Sequence, residues 1–132
     1  MASESRHVSI SIDRPPSEVY EYASSPANLP EWAAGLAGSI EEIDGAWVAE
    51  SPMGRISVAF AEPNEHGVLD HTVTLASGES FYNPMRVIAA RSGSEVVFTV
   101  RRQPGMSNQD FARDAAAVAA DLATLKRVLE GR

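Results

Sequence analysis

The stretch Ile12-Asp13-Arg14-Pro15-Pro16-Ser17-Glu18-Val19-Tyr20, running on to Leu29-Pro30-Glu31-Trp32, constrains the fold more than any other part of the sequence. Before it, His7–Ile12 alternates polar and apolar residues, the period of a half-buried strand, with Val8, Ile10 and Ile12 on the buried face. Pro15 and Pro16 cannot continue a hydrogen-bonded ladder, but proline is preorganised for the first turn of a helix. Glu18 suits the positive end of that helix, and Val19, Tyr22 and Ala23 have helical spacing up to the break at Ser24-Ser25-Pro26. Asn28–Trp32 reads as one further helical turn. An early strand, two short helices and then only strands is an uncommon order.

The strands that follow are short and marked off by turn residues. Ser39–Asp44 and Ala46–Glu50 flank an Asp44-Gly45 turn. Ser51–Gly54 leads into Arg55–Glu62, Pro63–Gly67 into Val68–Ala76, Ser77-Gly78 into Ser80–Ala89, and Ser92-Gly93 into Glu95–Arg102. Gly, Pro, Asn, Asp and Ser at these junctions supply ordinary turn chemistry. Consecutive strands with short connections make an antiparallel meander.

The last segment changes period. Ser107-Asn-Gln-Asp110 has the pattern of a capping box with Asp in place of Glu, and Phe111, Ala115, Val118, Leu122, Leu125 and Leu129 follow 4-3-4-3-4 spacing along one helical face. Alanines fill much of the remainder, Lys126 and Arg127 suit the negative end, and Gly131 suits the C-terminal cap. The apolar stripe and the apolar face of a single antiparallel sheet must each be covered. One long helix against a curved sheet of six to seven strands solves both problems. Because alanines leave room, a cavity is expected between helix and sheet, closed at one end by the short helices.

At 132 residues the chain forms a single domain, 1–132, structured from about residue 6 to 130. Its net charge of −7 disfavours nucleic acid and anionic lipid. The lack of cysteine excludes disulfides, zinc–thiolate sites and thiol nucleophiles. The N-terminal residues Met1-Ala-Ser-Glu-Ser-Arg have no apolar run of the secretory kind, and no window is long enough to span a membrane. A cytoplasmic location is expected.

With these elements in hand, the chain resembles the START-like, or SRPBCC, superfamily, the polyketide cyclase/dehydrase and lipid-transport group. The residues that carry the resemblance are Ile12–Tyr20, the Leu29-Pro-Glu-Trp32 turn and the closing Asp121–Leu129 segment. It implies an α+β, helix-grip (Bet v 1-like) fold in the order strand, two short helices, six strands, long helix. It also implies a deep, largely apolar pocket. Members range from ligand carriers and cyclases to hormone-receptor-like and co-chaperone-like domains and share no catalytic triad, so no catalytic residue is carried over.

Residues able to line or act in such a pocket are few. On Val68–Ala76, Leu69, His71, Val73 and Leu75 share the apolar face, while Asp70, Thr72 and Thr74 point the other way. His71 is the candidate for chemistry, as a hydrogen-bond donor to a ligand carbonyl or as an acid or base. The plainer reading is a core histidine satisfied by the protein. On Ser80–Ala89, Asn83 and Met85 have one parity and Arg86 the other. Pro84 implies an edge or a bulge, and a bulge would reverse parity, so whether Asn83 or Arg86 faces inward stays open. Asn83 suits a ligand oxygen and Arg86 a carboxylate. Trp32 is placed near the pocket entrance, Trp47 on an edge hairpin as surface or interface packing, and Phe111 and Val118 on the helix as rim or core. No metal site, cofactor or phosphate-binding motif is expected.

Three functions follow as expectations. The first is binding of a small hydrophobic or aromatic molecule, lipid- or polyketide-like, in the cavity. The second is a polyketide cyclase- or dehydratase-like reaction on such a molecule, assisted by His71 or Arg86. The third is a protein-interaction module. An exposed edge strand also offers a route to a homodimer.

Overall fold

A meander of antiparallel strands folded against one 23-residue helix makes up the computed structural model, which describes residues 4–132. The first three residues of the polar N-terminal stretch lie outside it. Strand β1 (Ser5–Ile12) runs into α1 (Pro16–Ala23), with Pro16 in its first turn. A single 3-10 turn, Pro26–Asn28, leads to α2 (Leu29–Trp32). Seven strands follow: β2 (Ser39–Ile43), β3 (Ala46–Ser51), β4 (Gly54–Phe60), β5 (His71–Leu75), β6 (Ser80–Asn83), β7 (Met85–Ala89) and β8 (Ser94–Arg101). The helix α3 (Asn108–Glu130) closes the chain.

The ladders run β2-β3-β4-β5-β6 and β1-β8-β7, all antiparallel. The expected strand Ser80–Ala89 is thus divided into β6 and β7, giving eight strands where six to seven were expected. Pro84 lies at the break. The bridge Val68↔Arg86 continues the register of His71↔Asn83, which puts Asp70 opposite Pro84 in a non-hydrogen-bonded pair. Proline has no N–H to give to Thr99 on the β8 side, and on the β5 side the next N–H, of Met85, goes to the Asp70 carboxylate. β5 accordingly starts at His71, three residues later than expected. Pairing resumes on both sides: the Leu69 N–H donates to the Met85 carbonyl (2.8 Å) and the Thr99 N–H to that of Pro84 (3.0 Å). No residue is inserted, so parity is kept through the break. Gly67 opens this segment with φ +71°, and a Cβ there would run into the Val87 carbonyl.

The Ser107 hydroxyl caps α3 by accepting the Asp110 N–H at 3.0 Å. Phe111, Ala115, Leu122, Leu125 and Leu129 are buried, as the periodicity predicts, and Val118 is half-buried. The helix packs on β1, β8 and α2. Its last turn is tied to the β1–α1 corner: Lys126 Nζ donates to the Ser11 carbonyl (2.7 Å), and Glu130 Oε2 accepts the Asp13 N–H (2.8 Å). Among the described residues no helix is long and apolar enough to cross a membrane.

Candidate functional site

Strand pairing sorts the candidate side chains by face. Phe60, His71 and Asn83 lie opposite one another on β4, β5 and β6, and Trp47, Val58, Val73 and Phe81 form the next row. Both rows belong to the concave face of the sheet, where Val58, Val73 and His71 are buried. His71 is 3% exposed and sits between two rings, Phe60 with centroids 5.0 Å apart and Phe98 at 5.6 Å, edge-on. Its Nδ1 lies 3.1 Å from the Leu69 carbonyl oxygen. A carbonyl only accepts, so Nδ1 carries the proton and Nε2 the lone pair. Burial lowers the imidazole pKa, against the smaller raising effects of the Leu69 bond and the Asp70 charge, and keeps the ring neutral. The side chain expected to donate to a ligand is therefore an acceptor at its free nitrogen.

Because parity survives Pro84, the open choice between Asn83 and Arg86 is decided. Asn83 is half-buried on the concave face, and Met85 is fully buried beside it. Arg86 is on the convex face, in an ion pair with Asp70. Asp70 is only 5% exposed and also accepts the Tyr82 hydroxyl and, at 2.9 Å, the Met85 N–H. Burial alone would raise its pKa, but these bonds and the Arg86 charge outweigh it and hold the carboxyl below its ordinary value. Asp70 thereby takes up the Met85 N–H at the break in the ladder.

A pocket of about 450 Å3 opens on the concave side between the short helices and strands β3 and β4. Tyr20, Trp47 and Phe60 put three aromatic rings on its wall, with Val58, Pro26 and Ser24 beside them, and no charged residue lines it. None of its lining residues comes from α3, so this hollow is displaced toward α1 from the place expected for the cavity. Trp47, expected on an edge hairpin as surface or interface packing, is half-buried and lines it. Its pairing with Val58 of β4 sets it in the row it shares with Val73 and Phe81. Tyr20, the last residue of the Ile12–Tyr20 motif, lines the pocket as well. It is held by a loop: its hydroxyl accepts the Asn64 N–H (3.0 Å), and the Asn64 side chain in turn bonds the backbone of Glu62, His66 and Val68.

The remaining candidates are more deeply placed. Leu69 is buried in the core. Trp32, 3% exposed, ends α2 inside the core cluster, and its Nε1 is sealed from solvent with no hydrogen-bond partner among the described residues. Phe111 is buried at the start of α3, with the Arg6 and Arg102 guanidiniums over its ring at 5.2 and 5.9 Å. Beside the apolar stripe of α3, burial pushes the Asp121 carboxyl up to about 6. Among the described residues no group of three or more His, Asp or Glu side chains is arranged to hold a metal.

A curved antiparallel sheet, two short helices after the first strand and a long closing helix define the helix-grip class. The chain belongs to the polyketide cyclase/dehydrase and lipid-transport family, whose profile matches residues 5–130. Its fold is similar to that of Ara h 8.0201 (TM-score 0.70, 13% identity, covering 99% of this chain and 100% of the other). It is also similar to DynU16 of the dynemicin biosynthetic locus (0.73, 15%, 98%), of which it spans 48%. Truncated norcoclaurine synthase from Thalictrum flavum is a third (0.65, 13%, 97% and 94%). No curated protein matches the chain by sequence.

Proposed function

We propose that the protein binds a small, uncharged, hydrophobic or aromatic molecule against the concave face of the sheet. The observation that carries this reading is the pocket of about 450 Å3 walled by Tyr20, Trp47 and Phe60 without a charged group. That volume is in the range of small-molecule sites, and apolar walls with a few polar groups are their usual make-up. Aromatic rings stack on flat ligands at little entropic cost. Titration with an apolar fluorescent probe tests it. Binding is expected to be saturable, competitive with unlabelled aromatic compounds and weakened about tenfold or more in Trp47→Ala, a loss of about 1.4 kcal/mol. Absence of saturable binding in the wild type refutes the reading.

A cyclase- or dehydratase-like reaction is the second reading. It is favoured by the neutral His71 imidazole, whose Nε2 lone pair suits proton abstraction next to a ketone. Turnover of a polyketone by the wild type, lost in His71→Ala, is its expected signature. An unchanged rate in that variant excludes the histidine mechanism.

A further inference from the structure

No charged residue lines the aromatic pocket, but its mouth is not electrically neutral. The charged residues next in the chain to its lining are Glu21, beside Tyr20, Asp44, beside Gly45, and Glu62, between Ala61 and Pro63. All three are acidic and exposed. They come from α1, the turn between β2 and β3, and the segment after β4, so the fold gathers them at one opening. Among the described residues none of the three takes part in an ion pair, since the salt bridges engage other carboxylates. Arg55, two positions before the lining residue Ser57, is already held by Glu50 at 3.4 Å.

A residue next in the chain has its Cα about 3.8 Å from that of its neighbour. Each carboxylate is thereby kept on the order of one Debye length, ~8 Å at physiological salt, from the mouth. Low-dielectric walls focus such a field into a cleft, and the net charge of −7 adds the same sign from farther off. Walls and mouth therefore make different demands. The rings favour an apolar body, because a charge buried among them loses its hydration. At the mouth an anionic group meets three unpaired carboxylates, whereas a cationic group meets three counterions. We propose that Glu21, Asp44 and Glu62 determine specificity through their field, turning away carboxylated and other anionic compounds and favouring those whose exposed end is neutral or an ammonium. This rests on the small-molecule reading above and narrows it: the enclosed body is uncharged, and any charge left at the mouth is positive.

Three naphthalene probes of similar size separate the charge from the ring: 2-naphthylmethanol (neutral), 2-naphthoate (anionic) and 2-naphthylmethylamine (protonated at pH 7). Each is titrated by its own fluorescence at pH 7, in about 10 mM and in about 0.5 M sodium chloride, which give long and short screening lengths. In low salt the wild type is expected to bind the cation at least about tenfold more tightly than the anion, with the alcohol between them, the order of ratio that three unit charges at that distance produce in water. In high salt the ratio falls to within about threefold. Glu21→Gln/Asp44→Asn/Glu62→Gln is expected to show that reduced ratio already in low salt, and an affinity for the alcohol unchanged to within about twofold certifies its fold. Glu79→Gln/Glu95→Gln, which neutralises exposed carboxylates away from the mouth, is expected to keep the wild-type ratio. Equal wild-type affinity for cation and anion, a ratio insensitive to salt, one that survives the triple variant, or one lost equally in the remote variant overturns the inference, and binding of the alcohol then leaves the pocket reading standing. If the alcohol does not bind the wild type, the pocket reading falls and this inference with it.

Discussion

Asp70 and His71 are adjacent in the chain, comparably buried, and opposite in almost every other respect. Asp70 points to the convex face and collects three donors: the Tyr82 hydroxyl, the Met85 N–H and the Arg86 guanidinium. His71 points to the concave face, spends one nitrogen on the Leu69 carbonyl and leaves the other unmatched between two phenylalanines. A saturated buried ion holds a fold together. A half-satisfied neutral ring in an apolar field is available for something else. Perturbed pKa values mark both residues, so perturbation by itself does not tell a brace from a binding group; the count of satisfied bonds does.

The comparison breaks most readily at Asp70. Asp70→Ala removes the acceptor of the Met85 N–H at the break in the ladder and frees Arg86. A loss of about 2–3 kcal/mol in urea unfolding is expected, with the exposed part of the ion pair adding little. His71→Leu replaces a neutral ring by an apolar side chain at the next position, and its stability at pH 7 is expected to change by less than about 1 kcal/mol. If the two losses turn out equal, the distinction between brace and binding group is wrong.

Acid sharpens the same contrast. Both groups have lowered folded-state pKa values, so in each case the unfolded chain binds the proton more readily and stability falls as pH falls. The contribution of His71 is complete above its unfolded pKa of about 6.5 and declines below it. That of Asp70 is complete above about 3.9 and declines only below that. Their losses therefore fall in two separate pH ranges, and the stability difference between the wild type and His71→Leu is expected to change in the upper range alone.

Asp121 works with the opposite sign. Its carboxyl is raised to about 6 by burial, so ionisation costs the folded state and stability declines as pH rises from about 4 through 6. Asp121→Asn is expected to stabilise the protein at pH 7 by about 1 kcal/mol, since partial exposure screens much of the cost, and to be neutral near pH 4. A smaller loss than that of Asp70→Ala is expected for Tyr82→Phe, because Tyr82 is exposed and Asp70 keeps its two other donors.

How much of this was legible depends on the range of the interactions involved. The strand before Pro15, the helix after it and the stripe from Phe111 to Leu129 follow from spacing along a few turns of chain, and each formed where expected. The inward direction of His71 followed from alternation within one short strand. Asn83 and Arg86 could not be assigned in the same way, because the outcome at Pro84 depends on whether the partner strand accommodates it with a bulge. It does so with a carboxylate, Asp70, fourteen residues earlier in the chain. Trp47 and Tyr20 escaped for a related reason: one borders the pocket through its pairing with Val58, the other is held by a loop ordered by Asn64.

The sequence by itself thus determined the order of elements, a long helix packed on an antiparallel sheet, the buried stripe of α3 and the face on which His71 lies, since all of these rest on local periodicity and turn chemistry. Only the tertiary structure decided that parity survives Pro84, that Asp70 is saturated while His71 is not, that the aromatic pocket sits against α1, β3 and β4, and that His71 presents a lone pair. Each of those is set by hydrogen bonds and contacts between strands and loops remote in sequence, and no local pattern encodes the partner.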